Sequence, residues 1–262
     1  MDEWRTNLIN DIESGKADLV SRLSSGDSVL MWLVRLNELK PVECILKKRR
    51  DNHDEMNSMH IAIVYGYKEM VKLLFKYKVS PNIFCNNGNT HIMRMTIDNE
   101  NYEMTELLLQ NGVYPDVQDT DGTTALMEAS DLGDDKLVEM ILKYNPDVNK
   151  CDNDGWTPLM YAVQGSNIRI VKLLIEKGAN VNHRNNTGCS IFLVAVSNTD
   201  CIDIMELLIE KGADINVAND KGYTPFMIAK KDNYEDCIEL LKKHGAIQNE
   251  MTCHSCRIHQ TN

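Results

Sequence analysis

The run Cys253-His254-Ser255-Cys256-Arg257-Ile258-His259 places two thiols three residues apart with two imidazoles beside them. Thiolate and imidazole are the ligands zinc prefers, and Cys253, Cys256 and His259 could supply three of the four corners of a tetrahedral site. A segment this short needs partners elsewhere to close such a site, and the chain holds no second Cys-x-x-Cys. Thiol–disulfide exchange is the other chemistry open to the pair, but no strand-helix context of the thioredoxin kind surrounds it. The reading is therefore a tail over 249–262 with no cofactor. A metal- or redox-responsive protein is kept as the alternative.

The rest of the chain offers no catalytic constellation. There is no Gly-rich phosphate loop followed by Lys-Ser/Thr, no His-Glu-x-x-His and no Gly-x-Ser-x-Gly. His60 and His91 are read as structural, and the carboxylates lie mostly on turns and outer helix faces. An enzyme is not expected. Lys47-Lys48-Arg49-Arg50 reads as a solvated helix end, with a nuclear import signal as the sharper alternative.

Composition narrows the classes further. Across 262 residues, 43% are hydrophobic and 26% charged, as in an ordinary globular chain. A net charge of −11 disfavours nucleic acid as a partner, since phosphates must be met by cations. No apolar run is long enough to span a membrane. The start, Met1-Asp2-Glu3-Trp4-Arg5, lacks the basic and apolar pattern of a secretory signal. The eight cysteines are accordingly expected reduced, most of them as small buried hydrophobes, in a cytoplasmic and possibly nuclear protein.

The elements come from a repeat. Gly155-Trp156-Thr157-Pro158-Leu159-Met160-Tyr161-Ala162 returns as Gly222-Tyr223-Thr224-Pro225-Phe226-Met227-Ile228-Ala229 and as Gly122-Thr123-Thr124-Ala125-Leu126-Met127-Glu128-Ala129. Weaker copies begin at Gly88 and Gly188, and one around Asn57 has lost the glycine. The Thr-equivalent positions 57, 90, 124, 157, 190 and 224 are 33 or 34 residues apart. Gly178-Ala179-Asn180-Val181-Asn182 and Gly212-Ala213-Asp214-Ile215-Asn216 close their units, and Asn145-Pro146-Asp147-Val148-Asn149 is a degraded copy. Glycine suits a turn with positive φ. Threonine suits a helix N-cap, and proline the first turn after it. A short apolar helix should follow, then a break at Gly66, Gly133 or Gly165. A second helix such as 170–177 should then bury one face and end at Gly178. The insertions around 99–101 and 197–200 read as longer loops, and 47–54 as an irregular turn.

On these motifs the chain resembles the ankyrin-repeat family, clearly over 53–248. The resemblance implies an all-α solenoid of helix-turn-helix pairs joined by β-hairpin-like turns. About eight repeats are expected, over 1–24, 25–52, 53–84, 85–118, 119–151, 152–184, 185–218 and 219–248. It also implies a protein partner held by turn tips and the inner helix face. The residue after the turn glycine is Asn89, Thr123, Trp156, Cys189 or Tyr223, with Met56 where the glycine is missing. Trp156 and Tyr223 are the expected anchors, since large aromatics dominate interface energetics. Asp121, Asp131, Asp154, Gln164, Lys221 and Lys231 are the further inner-face candidates. From Glu100 to Leu159 fourteen acidic residues face three lysines, a local balance of −11. A field of one sign steers partners of the other. The expected partner is thus a protein with a basic segment, bound by a monomer acting as an adaptor or inhibitor. An inhibitor-of-NF-κB-like role is one concrete form of this, and a targeting subunit the rival within the class. Residues 249–262 resemble neither an F-box nor a SOCS-box.

Overall fold

The computed structural model describes residues 3–17, 28–48, 53–81, 101–198 and 202–248. They form two compact units, Met1–Thr120 and Asp121–Asn262. No helix among the described residues is long and apolar enough to cross a membrane.

The first unit holds α1 (Glu3–Ser14), α2 (Val29–Arg35), α3 (Leu39–Lys48), α4 (His53–Val64), α5 (Lys68–Lys76) and α6 (Tyr102–Gln110). Helices α2 and α3 form one antiparallel pair, and α4 and α5 the next. Their facing surfaces bury Leu30, Leu33, Val42, Ile45, Met59, Ile63, Met70 and Leu74. Pro41 lies in the first turn of α3, where its missing N–H costs nothing. The turn expected before Asn57 is absent. Helix α4 already runs from His53, so Asn57 stands in its second turn and Met56 is helical rather than at a turn tip.

The second unit is more regular. It pairs α7 (Ala125–Leu132) with α8 (Asp135–Leu142), α9 (Pro158–Gln164) with α10 (Ile168–Glu176), α11 (Ile191–Val196) with α12 (Ile202–Glu210), and α13 (Pro225–Lys231) with α14 (Glu235–Lys243). The first helix of each pair is short, and α9 and α11 are each packed between the first helices of the repeats on either side. All six residues of α11 are buried. The second helix is amphipathic: α10 buries Ile170, Val171 and Leu174 and turns Arg169, Lys172 and Glu176 outward.

Caps fix where the inner helices begin. Thr124, Thr157, Ser190 and Thr224 each accept, through the side-chain hydroxyl, the backbone N–H three residues on. All four are buried, which removes water as an alternative acceptor. Ser28 does the same for α2. The break between helices needs one left-handed residue. Gly66 and Gly133 serve as expected, but Gly165 has an ordinary φ of −76 and the left-handed residue is Ser166 at 57. Asn37 and Asn233 fill the same position in other pairs, both at φ 57. Gly178 and Gly212 are left-handed after their helices, and Asn145 takes that place at φ 51.

The turns are hairpin-like without forming strands among the described residues. Asp152 N–H donates to the Trp156 carbonyl, Asn185 N–H to Cys189 and Asn219 N–H to Tyr223, each at 3.0 Å. An isolated antiparallel bridge joins Arg184 and Ser190. Successive turns are tied tip to tip: Asn153 N–H donates to the Asp121 carbonyl, Asn186 N–H to Asp154 and Asp220 N–H to Thr187. A second ladder runs through the closures. Asn149 donates to the Gly178 carbonyl and accepts from Asn180 N–H, and Asn182 does the same with Gly212 and Asp214. Asn216 accepts from Ile247 N–H at 2.8 Å. Side chains 33 or 34 residues apart thus make one contact repeatedly, which is why the sequence repeats them.

Candidate functional site

The inner face of the second unit is built from two rows. One row lies on the turn tips: Asp121, Asp154, Thr187 and Lys221. The other lies near the ends of the inner helices: Asp131, Gln164, Ser197 and Lys231. All eight residues are exposed. The tip-to-tip backbone bonds set the first row. The second follows from the helix period, since each member lies seven residues, two helical turns, beyond its N-cap at 124, 157, 190 or 224. Between the rows lie the residues after the turn glycines and the residues four beyond each cap: Glu128, Tyr161, Val194 and Ile228.

Trp156 is not a free turn tip. It is half-buried, with its ring 5.4 Å from the ring of Tyr161 at a tilt of 47°. Both residues are organised by Asp152. One carboxylate oxygen accepts the backbone N–H groups of Asp154 and Trp156, at 2.9 and 2.8 Å. The other accepts the Tyr161 hydroxyl at 2.6 Å. Asn185 and Asn219 hold the next two turns through the same side-chain oxygen, so the turn needs an acceptor and not a charge. Burial raises the Tyr161 phenol well above its ordinary value, and the hydrogen bond to Asp152 and the charges of Asp152, Asp131 and Asp154 add to this. The phenol therefore stays neutral, held among three carboxylates. Tyr161 was not among the sequence candidates, and Asp152 entered only as one of the clustered acids. The signal for Tyr161 is its place four residues after the capping threonine, on the same face as the expected contacts.

Tyr223 is also half-buried, and its side chain lies elsewhere on the face. It lines a cleft of ≈ 390 Å³ with Ser197, Lys221, Ile228, Lys231 and Asp232. The structure thus gathers Lys221, Tyr223 and Lys231 into one place, and Asp131 and Asp154 into another around Tyr161. Asp121 lies on the tip row one repeat before Asp154. Gln164 is anchored through its backbone carbonyl, which accepts from the Asn198 amide at 2.8 Å.

Many of the acidic residues counted in the sequence are committed to structure. Glu103 pairs with Lys68 in the first unit. Asp135 and Glu139 together hold Arg169. Asp134 caps α8, and Asp147 makes a turn with Asn149 N–H. On the inner face stand Asp121, Glu128, Asp131 and Asp154, with Asp152 behind them.

Cys151 and His183 are the nearest approach to a nucleophile and base, at 3.6 Å. The same imidazole nitrogen lies 2.8 Å from the Gly155 carbonyl, so it is the donor there and cannot take the thiol proton. Burial, with Asp152 and Asp147 nearby, raises the Cys151 thiol above its usual value. Of the other described cysteines, Cys237 is buried and Cys44 and Cys189 are half-buried. No group of three or more His, Cys, Asp or Glu among the described residues could hold a metal ion. Cys253, Cys256 and His259 lie outside the described residues, as do Arg49 and Arg50.

A family model of ankyrin repeats matches residues 92–185 and 191–258, more than half of the sequence. The chain belongs to the ankyrin-repeat family. The ankyrin repeat domain of Bcl-3, a member of the IκB protein family, superposes with a TM-score of 0.66 at 24% identity, over 75% of this chain and 89% of that one. An ankyrin repeat domain from Acinetobacter baumannii gives 0.67 at 27% identity, over 72% and 98%. The ankyrin-repeat chain is thus an all-α solenoid, built as a protein–protein interaction module on a non-enzymatic fold.

Proposed function

We propose that this ankyrin-repeat protein is an adaptor or inhibitor that holds a basic segment of another protein against the inner face of its second unit. The observation that carries the reading is the grouping of exposed Asp131 and Asp154 around the half-buried Trp156–Tyr161 pair, with exposed Asp121 on the turn one repeat before. Carboxylates of one sign steer a basic chain and repel an anionic one. The aromatic pair beside them offers flat apolar area, and a tryptophan face is a good seat for a guanidinium. With a net charge of −11, nucleic acid and anionic membrane surfaces are disfavoured as partners. The protein acts as a monomer in the cytoplasm, and in the nucleus if Lys47-Lys48-Arg49-Arg50 serves as an import signal.

The test compares captured partners of the wild type with those of Asp121→Lys/Asp154→Lys at two salt concentrations. Both side chains are exposed, so the fold should survive, and circular dichroism checks it. A protein retained by the wild type, lost from the variant and weakened by salt is the expected result. A set of partners indifferent to both the substitutions and the salt would sink the reading.

A further inference from the structure

The two rows of the inner face change character together. Along the turn tips the residues run Asp121, Asp154, Thr187, Lys221. Along the helix ends they run Asp131, Gln164, Ser197, Lys231. Each row starts on a carboxylate, passes through a hydroxyl and finishes on an ammonium. The row between, Glu128, Tyr161, Val194 and Ile228, goes from acid through aromatic to aliphatic. One end of the face is anionic, its middle is neutral and partly apolar, and its far end is cationic.

The cationic end has a shape as well as a charge. Lys221 and Lys231 line the ≈ 390 Å³ cleft, and Tyr223 and Ile228 supply apolar wall to it. Neither ammonium has an ion-pair partner among the described residues. The neighbouring Arg184 is already occupied, by the Gly188 and Ala218 carbonyls and by Asp220 at 3.6 Å. Asp232 also lines the cleft, which leaves it one positive charge in excess.

We propose that the cleft is a second recognition site, which takes a carboxylate side chain of the same bound segment with an apolar residue next to it. This rests on the reading of the inner face as the partner's seat. The partner segment is then bipolar: Lys or Arg against Asp121 and Asp131, Asp or Glu against Lys221 and Lys231. Repeats packed about 8–10 Å apart put the two ends about 24–30 Å from each other. An extended chain rising about 3.3 Å per residue covers that in roughly eight residues. The paired charges also fix which way round the segment lies, because the reversed segment would set like charges against each other at both ends.

A random 16-residue peptide library displayed on phage, selected on the full chain, tests this directly. The expected binders carry a basic pair and an acidic residue about eight positions apart. Selection on Lys221→Glu/Lys231→Glu should lower the frequency of the acidic feature at least tenfold and leave the basic feature unchanged. Binders that are basic alone would overturn the second site while leaving the proposed function standing. Binders with no basic feature would overturn both. Bipolar binders whose acidic residue persists unchanged on the lysine variant would place that contact elsewhere and overturn the cleft.

Discussion

The Tyr161 hydroxyl donates a 2.6 Å hydrogen bond to a carboxylate oxygen of Asp152, whose other oxygen holds the turn carrying Trp156. A single aspartate thus ties a helix residue to the turn before it. Tyr161→Phe removes the donor and should cost about 1.5–3 kcal/mol, the range for a hydrogen bond to a charged group. A lowered urea midpoint with unchanged slope would show it. Burial raises the folded-state phenol above its unfolded value, so its stabilisation is present below the ordinary tyrosine range and is lost as pH climbs through the folded value. Alkaline titration by ultraviolet absorbance should find one late-ionising tyrosine fewer in the variant than in the wild type, where Tyr77 is raised as well.

The asparagine ladder predicts a cooperative weakness. Asn182→Ala breaks two bonds between adjacent repeats, one to the Gly212 carbonyl and one from Asp214 N–H. The expected loss is about 1–2 kcal/mol, kept low because the groups are exposed to water. Hydrogen exchange should quicken in the closures on both sides of the break. Asn182→Asp keeps the acceptor and should recover part of the loss. Equal destabilisation by Ala and Asp would remove the ladder's acceptor from the account.

Two glycines with nearly the same backbone should respond differently. Gly155 has φ +80, and a Cβ there would lie 2.8 Å from the Asn186 backbone nitrogen. Gly222 has φ +81 and nothing within 4 Å of an added Cβ. Gly222→Ala should cost only the left-handed penalty, about 1 kcal/mol. Gly155→Ala should cost clearly more, since the next turn must also move. Thermal midpoints of the two variants in parallel decide it.

Glu43 of α3 is held by Lys76 and Tyr77, at 2.8 and 2.9 Å, and Lys47 lies 3.7 Å away. The hydrogen bonds from Lys76 and Tyr77 keep its carboxyl below the ordinary range. A lowered folded value means stabilisation that is present above the unfolded pKa and lost as pH falls through the folded one. The stability gap between wild type and Glu43→Gln should therefore close on acidification, and it should narrow in high salt because Lys76 and Lys47 are exposed and Glu43 only half-buried. A gap that is flat between neutral pH and pH 3 would exclude the ion pair as its source.

The repeat period, the capping threonines, the prolines in first turns and the Gly-Ala-Asn-Val-Asn closures were enough to establish an all-α ankyrin stack from sequence. Each of these is a local requirement of backbone geometry, and local requirements leave fixed residue types at fixed spacing. Gly165 marks the limit even there. The left-handed residue stands nine beyond the N-cap at 28, 124, 157 and 224, and Ser166 takes it because Gly165 comes one residue too early. The turn expected before Asn57 failed for a similar reason: without its glycine nothing stops α4 from beginning at His53.

What lay beyond the sequence was which side chains meet across repeats. Asp152 counted only as one charge among fourteen, and the tertiary structure makes it the organiser of Trp156 and Tyr161. Trp156 and Tyr223 occupy equivalent positions, yet one packs on a tyrosine among carboxylates and the other lines a cleft with two lysines. Repeat identity determines the backbone and so the rows. The character of a row depends on residues 33 or 34 positions apart, whose chemistry is free to differ because none of them is needed to form the turn or the helix that carries it.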